Sequence, residues 1–272
     1  MKILTALLAL ACTLAAMPAG AQSATPDRLE GVLKNGTLRV GTTMDTPVFS
    51  MRNASGQLEG FDMDALETLG KALGVNIEYV KMTFGTMLPD LLADKFDIAM
   101  SGMGRTFDRA RVATFSRPYM RYGKLMIIRS ADKGKYKTLD DLDKPGIKIA
   151  HNIGGLNERF AKTRFKRATP TGFPSNSLAF ADLIAGKVDA QVADSTSAVY
   201  LARKDARVVA MSPKNVFDPV YVAVLVRRED QTLLNFINIW LDQIEMEGDL
   251  AKIRTKWLGD YAPVAWPTEP RN

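Results

Sequence analysis

The alternation of strands and helices in this chain runs once, breaks off, and begins again. In the first run Thr37–Gly41 reads as a strand, Asp62 caps a helix reaching about Leu73, Val75–Val80 is a strand, Thr86–Asp94 a helix and Asp97–Met100 a strand. Leu66, Leu69 and Leu73 mark one buried helix face, and Gly74 supplies the stop. A short helix, Asp27–Lys34, precedes the run. The second run has strands at Ile147–Ala150, Ala168–Thr171 and Val188–Val192, and helices at Leu156–Phe165, Ser175–Ala185 and Ser195–Ala202. A βαβαβ order predicts a parallel sheet with helices on both faces. Two such runs predict two α/β lobes. A further strand at Tyr221–Val226 and two helices, Gln231–Glu247 and Asp249–Trp257, come after the second lobe is complete and are expected to pack back on the first. Crossing strands between two lobes leave a cleft, and ligands of open α/β sheets bind at the carboxyl ends of strands.

Composition narrows the function. With 46% hydrophobic and 24% charged residues in 272, the chain can bury a core and is not globally disordered. One cysteine and one histidine exclude an internal disulfide framework and leave too few soft ligands for a zinc site. No P-loop and no G-x-G-x-x-G opening a helix appears, and no cofactor is implied. Lys2, the uncharged run Ile3–Ala16 and Ala19-Gly20-Ala21 read as a secretory signal peptide over residues 1–21. Removing it removes Cys12, whose neighbours make a poor lipidation site. Export and scattered basic residues argue against nucleic acid as the partner, although the net charge is +6.

The loops after the strands carry the candidate residues. Thr42 to Pro47, including Thr43, follows the first strand, and Phe84 brings an aromatic face after the next. Ser101 to Arg109 follows the third; Thr106 can cap a short helix carrying Arg109, whose guanidinium could clamp a carboxylate or lie on the surface. Gly154-Gly155 lies between strand and helix and can turn N–H groups toward an anion. Asp194 ends a strand, either as a helix N-cap or as a carboxylate in the cleft facing an ammonium. His151 sits at a strand end without the nucleophile elbow a hydrolase triad needs.

Gly36-x-Leu38-Arg39-Val40-Gly41, Gly60-Phe61-Asp62-Met63-Asp64, Lys95-Phe96-Asp97-Ile98-Ala99-Met100-Ser101-Gly102-Met103, Arg109 and Phe115-Ser116-x-Pro118-Tyr119 occur in an order that resembles family 3 of the bacterial periplasmic solute-binding proteins. Gly123-Lys124 and Asn152-x-Gly154-Gly155-x-Asn157-Glu158-x-Phe160-Ala161 further resemble its cyclohexadienyl dehydratase branch. The resemblance implies the type II periplasmic-binding-protein fold, with parallel-sheet lobes joined by a two-strand hinge. Lobe 1 would take 22–121 and 216–272, and lobe 2 would take 122–215. It implies a monomer in the periplasm that holds an amino acid or related carboxylate and passes it to an ABC permease. By the same resemblance Arg109 grips a carboxylate, Asp194 an amino group, and Phe84 forms a wall. Thr43, Ser101, Gly102, Gly155 and Leu156 line the cleft, and Lys124 lies near the hinge.

Several positions depart from the family pattern. Ser197 stands where the dehydratase branch has a glutamate general acid, and a hydroxyl is too weak an acid for that step. Glu158 is a candidate substitute whose simpler role is support of its helix start. Thr46, Gly104 and Leu156 replace an aromatic, a hydroxyl residue and a threonine, and Arg105 adds a cation near the cleft. These changes favour a binding protein over a dehydratase, with a ligand other than a standard basic amino acid.

Overall fold

The computed structural model describes residues 27–212 and 215–261. The leader read at 1–21, with Cys12, lies outside them. Two sheets organise the described chain. The first has the order Asn76–Lys81, Thr37–Thr42, Ile98–Ala99, Leu225–Val226, Thr114–Phe115. Its first three strands are parallel, and Leu225–Val226 runs antiparallel to both neighbours. The second has the order Val208–Ala210, Met120–Arg129, Ala190–Asp194, Lys148–Asn152, Thr169–Phe173, and Phe217–Val222 also pairs with Met120–Arg129. Here the parallel part is Ala190–Asp194, Lys148–Asn152 and Thr169–Phe173. Both sheets are therefore mixed, not purely parallel. In each sheet the strand of opposite direction belongs to a segment that runs between the lobes, Leu225–Val226 in the first and Met120–Arg129 in the second.

The expected single strand at Tyr221–Val226 is two. Phe217–Val222 lies in the second sheet and Leu225–Val226 in the first. The chain leaves one sheet and enters the other at Ala223-Val224, because one straight strand cannot serve two separate sheets. The outgoing chain runs beside it. Tyr119 N donates to Val222 O at 2.9 Å, Ser116 N to Val224 O at 2.9 Å, and Val224 N to the Ser116 hydroxyl at 3.0 Å. These two adjacent crossings join the lobes.

Met120–Arg129 does not read as a strand in the sequence, yet it is central to the second sheet. Its alternation explains the burial on both faces. Leu125 and Ile127 pack with Ala150, Ala179 and Leu183, whereas Met126 and Ile128 pack with Ile149, Phe160 and Val192. The terminal helices, Gln231–Met246 and Asp249–Leu258, bury Ile237, Trp240, Leu241 and Ile253 against Leu38, Val40, Leu66 and Leu69 of the first lobe, as expected.

Asp62 is not a helix cap. The helix starts at Phe61 with Gly60 before it, at φ 147°, where an added Cβ would lie 2.2 Å from the Phe49 carbonyl oxygen. Only glycine fits that approach. Asp62 falls in the first turn and is fully buried, aimed at the loop after Met100.

Candidate functional site

The two lobes meet face to face. Asn176 N donates to Asp45 Oδ2 at 2.9 Å, and the Ser197 hydroxyl donates to the Pro47 carbonyl at 2.8 Å. A Cβ on Gly154 would lie 2.5 Å from Gly85 Cα, and one on Gly104 would lie 2.5 Å from Leu156 Cδ1. The cleft is thus closed, and Leu156 fills the space above Gly104. The two sequence departures at 104 and 156 are one packing solution.

Between the lobes, Arg109, Lys124, Asp194, Phe84, Gly155 and Leu156 face a common space together with Tyr122, Asn152 and Asn157. That space is only about 10 Å³, room for roughly one water molecule, so a larger ligand enters with the lobes apart.

Arg109 is held by a short helix, Phe107–Ala110, whose start the Thr106 hydroxyl caps by accepting from Arg109 N at 3.2 Å, as expected. Arg109 is 7% exposed, and its guanidinium donates to the Gly104 carbonyl at 2.9 Å. Among the described residues no carboxylate forms an ion pair with it. Burial pushes its pKa down and nearby Arg159 adds to that, against a partial offset from Asp194.

Asp194 stands at the N-cap position of Ser195–Lys204, but its side chain makes no capping hydrogen bond. It pairs instead with Lys124 Nζ, so the ammonium it faces is the protein's own. Register builds this contact, because Lys124 and Asp194 are direct cross-strand partners. Lys124 is 2% exposed. It also donates to Asn157 Oδ1 at 2.7 Å and lies 4.9 Å from the centre of the Tyr122 ring. Asn157 in turn donates to Asn152 Oδ1 at 2.8 Å. Burial lowers the Lys124 pKa, and Asp194 works in the opposite direction.

Other expected site residues are engaged elsewhere. The Thr43 hydroxyl lies 2.7 Å from that of Thr46 and 2.8 Å from that of Ser101, and Ser101 lies 2.7 Å from Ser50. This buried hydroxyl network satisfies both Thr43 and Ser101 behind the central space. Gly102 is turned into the first lobe: its N–H donates to Asp62 Oδ2 at 2.7 Å and its carbonyl accepts from Tyr122 at 3.0 Å. The Gly154 N–H meets an anion, but that anion is Glu158 at 2.7 Å. Glu158 also accepts from Lys162, which with the Gly154 contact holds its carboxyl below the ordinary range. It is an ionised helix-start residue and a poor proton donor. His151 is buried, with Nδ1 3.2 Å from the Asn152 carbonyl.

The sequence assigns no site role to Tyr122 or Arg159, and shows Asn157 only as part of a motif. The signal for Tyr122 was Tyr122-x-Lys124, two positions on one face of a strand, but it is readable only once Met120–Arg129 is seen as a strand.

Asp62 gives the site a pH-sensitive support. Its Oδ1 accepts from the Tyr119 hydroxyl at 2.8 Å. Burial outweighs these hydrogen bonds and pushes its pKa from 3.8 to about 7. The folded protein therefore binds this proton more tightly than the unfolded chain. Stability from this group is full below pH 4 and is lost as pH rises through about 7. The limiting loss is on the order of 4 kcal/mol. Asp62→Asn keeps the shape and removes the titration. Calorimetric unfolding should show a midpoint that declines less from pH 4.5 to 7.5 in this variant than in the parent, whereas parallel profiles would refute the assignment.

The family model of the bacterial extracellular solute-binding proteins, family 3, matches residues 38–260. The chain belongs to this family. Among similar proteins, cyclohexadienyl dehydratase of Pseudomonas aeruginosa is 35% identical, covering 96% of this chain and 95% of its own length. The L-cystine-binding protein TcyJ of Escherichia coli K12 is 26% identical over 85% of this chain and 86% of its own. Among solved structures, the ancestral amino acid-binding protein AncCDT-1, a precursor of cyclohexadienyl dehydratase, matches with a TM-score of 0.80 at 37% identity, covering 85% of this chain and 99% of that one. A mutant of ArgBP from T. maritima matches at 0.79 and 31% identity, with the same coverages. The family 3 member described here thus has the two-lobed fold of amino-acid-binding proteins.

Proposed function

We propose that this family 3 protein captures an amino acid or related small carboxylate between its lobes in the periplasm and delivers it, as a monomer, to an ABC importer. The observation that carries the reading is Arg109: a guanidinium buried at the meeting of the lobes, with no carboxylate paired to it among the described residues. A ligand carboxylate would complete it through charge-assisted hydrogen bonds. Phe84 supplies the wall and Lys124, Asp194 and Asn157 the polar end. Thr43, Ser101 and Gly102 support the loops of the first lobe, and Gly155 and Leu156 those of the second. Lobe 1 is assigned 22–121 and 216–272, and lobe 2 is assigned 122–215.

The second reading is a dehydratase, favoured by the 35% identity to the Pseudomonas enzyme. Two side chains weigh against it. Ser197 is committed to the Pro47 carbonyl, and Glu158 is held ionised by Lys162 and Gly154. Neither is placed to protonate a leaving hydroxide.

Thermal unfolding of the ligand-stripped protein tests both readings. A ligand at 100 Kd adds about 2.7 kcal/mol, or roughly 5–10 °C in midpoint for a chain of this size. A shift with amino acids or small carboxylates, and no phenylpyruvate formed from prephenate, is the expected result. Turnover of prephenate would overturn it in favour of the dehydratase.

A further inference from the structure

A groove of about 660 Å³ adjoins the central space and shares two of its walls, Lys124 and Leu156. It opens beside the crossing strands, with Tyr221 and Asp218 of the return strand on one side. Each lobe contributes an arginine to it. Arg105 comes from the first lobe, its backbone N–H fixed to the Tyr221 carbonyl at 2.7 Å. Arg159 comes from the helix Leu156–Arg164 of the second lobe. Among the described residues neither side chain has a hydrogen-bond or ion-pair partner. Asp218 is the only acid among the described residues of the lining.

The charges around the two adjoining spaces do not balance among the described residues. Arg109, Lys124, Arg159 and Arg105 stand against Asp194 and Asp218, and Lys124 already takes up Asp194. Arg159 is near enough to oppose the charge on both Arg109 and Lys124. Like charges gathered in a cleft attract an anion, and a planar guanidinium presents paired donors to carboxylate or phosphate. An ammonium, by contrast, would find its natural acceptor occupied.

We propose that the ligand of this protein carries two anionic groups, one on Arg109 and a second held in the groove between Arg105 and Arg159. The second group spans the lobes, so it favours the closed arrangement. The inference rests on the binding-protein reading and specifies its ligand class.

Calorimetric titration of the ligand-stripped protein with succinate, glutarate and adipate tests it, alongside butyrate, norvaline and 3-phosphoglycerate. At least one dianion should bind about tenfold or more tightly than the monocarboxylate and the neutral amino acid. Arg105→Gln and Arg159→Gln should each weaken that dianion by about tenfold while changing butyrate by less than about twofold. Both positions are exposed, and unchanged melting midpoints would establish that the variants fold. 3-Phosphoglycerate outranking the dicarboxylates would identify phosphate as the second group and uphold the proposal. Norvaline binding as tightly as any dianion, insensitive to both substitutions but lost in Arg109→Ala, would overturn the two-anion ligand and leave the binding protein standing. No binding by any of the six compounds would overturn both.

Discussion

Arg109→Ala should weaken ligand binding by about 10²–10³-fold while leaving the unliganded protein as stable as the parent, or more so. The binding loss follows from stripping a buried charge pair of one member, which costs about 2–5 kcal/mol. The stability expectation follows from what Arg109 touches without ligand. It is 7% exposed and donates to one carbonyl, that of Gly104. Burial opposes its charge, Asp194 offsets that cost only in part, and no acid among the described residues forms an ion pair with it. Removing it therefore relieves desolvation and forfeits one hydrogen bond plus side-chain packing. A purely structural arginine would behave in reverse: the variant would melt several degrees lower and bind as before. Calorimetric titration together with the melting midpoint separates the two cases.

The same residue shows what the sequence can disclose. Arg109 is visible because it follows a strand end and a capping threonine, and both signals are local. The helices are visible for the same reason, with ends set by Gly74 and Ser175. What is not visible depends on contacts between distant positions. Met120–Arg129 carries Gly123 and Lys124 within it and follows Pro118, so it does not read as a central strand. Without that strand the cross-strand register of Lys124 with Asp194 has no place to appear, and Asp194 reads as facing a ligand ammonium. Asp62 reads as a cap because it precedes a helical period. Its real partner, Gly102, is 40 positions away. The departures at Gly104 and Leu156 look independent in sequence, and only their contact across the cleft shows them to be coupled.

Lys124→Met should be the most destabilising single change in the cleft, by about 3–5 kcal/mol, and should also change what the protein binds. The substitution keeps the bulk of the aliphatic stem and removes the ammonium. Asp194, 6% exposed, would then hold a charge with its only ion-pair partner among the described residues removed, and Asn157 Oδ1 would lose its donor. Breaking a buried ion pair on one side carries a cost of about this size because the remaining charge is uncompensated. Two further measurements keep the explanation testable. In Lys124→Met with Asp194→Asn both charges of this pair are gone, so denaturant unfolding should recover most of the loss, with coupling well beyond the few tenths of a kcal/mol of independent sites. The single variant should also gain what the parent lacks, an acid free to accept a ligand ammonium, so neutral α-amino acids should raise its melting midpoint more than they raise that of the parent. If the double variant is as unstable as the single one, packing and not charge explains the loss. If amino acids shift both proteins equally, Asp194 does not face the ligand and Lys124 does not decide which ligand is chosen.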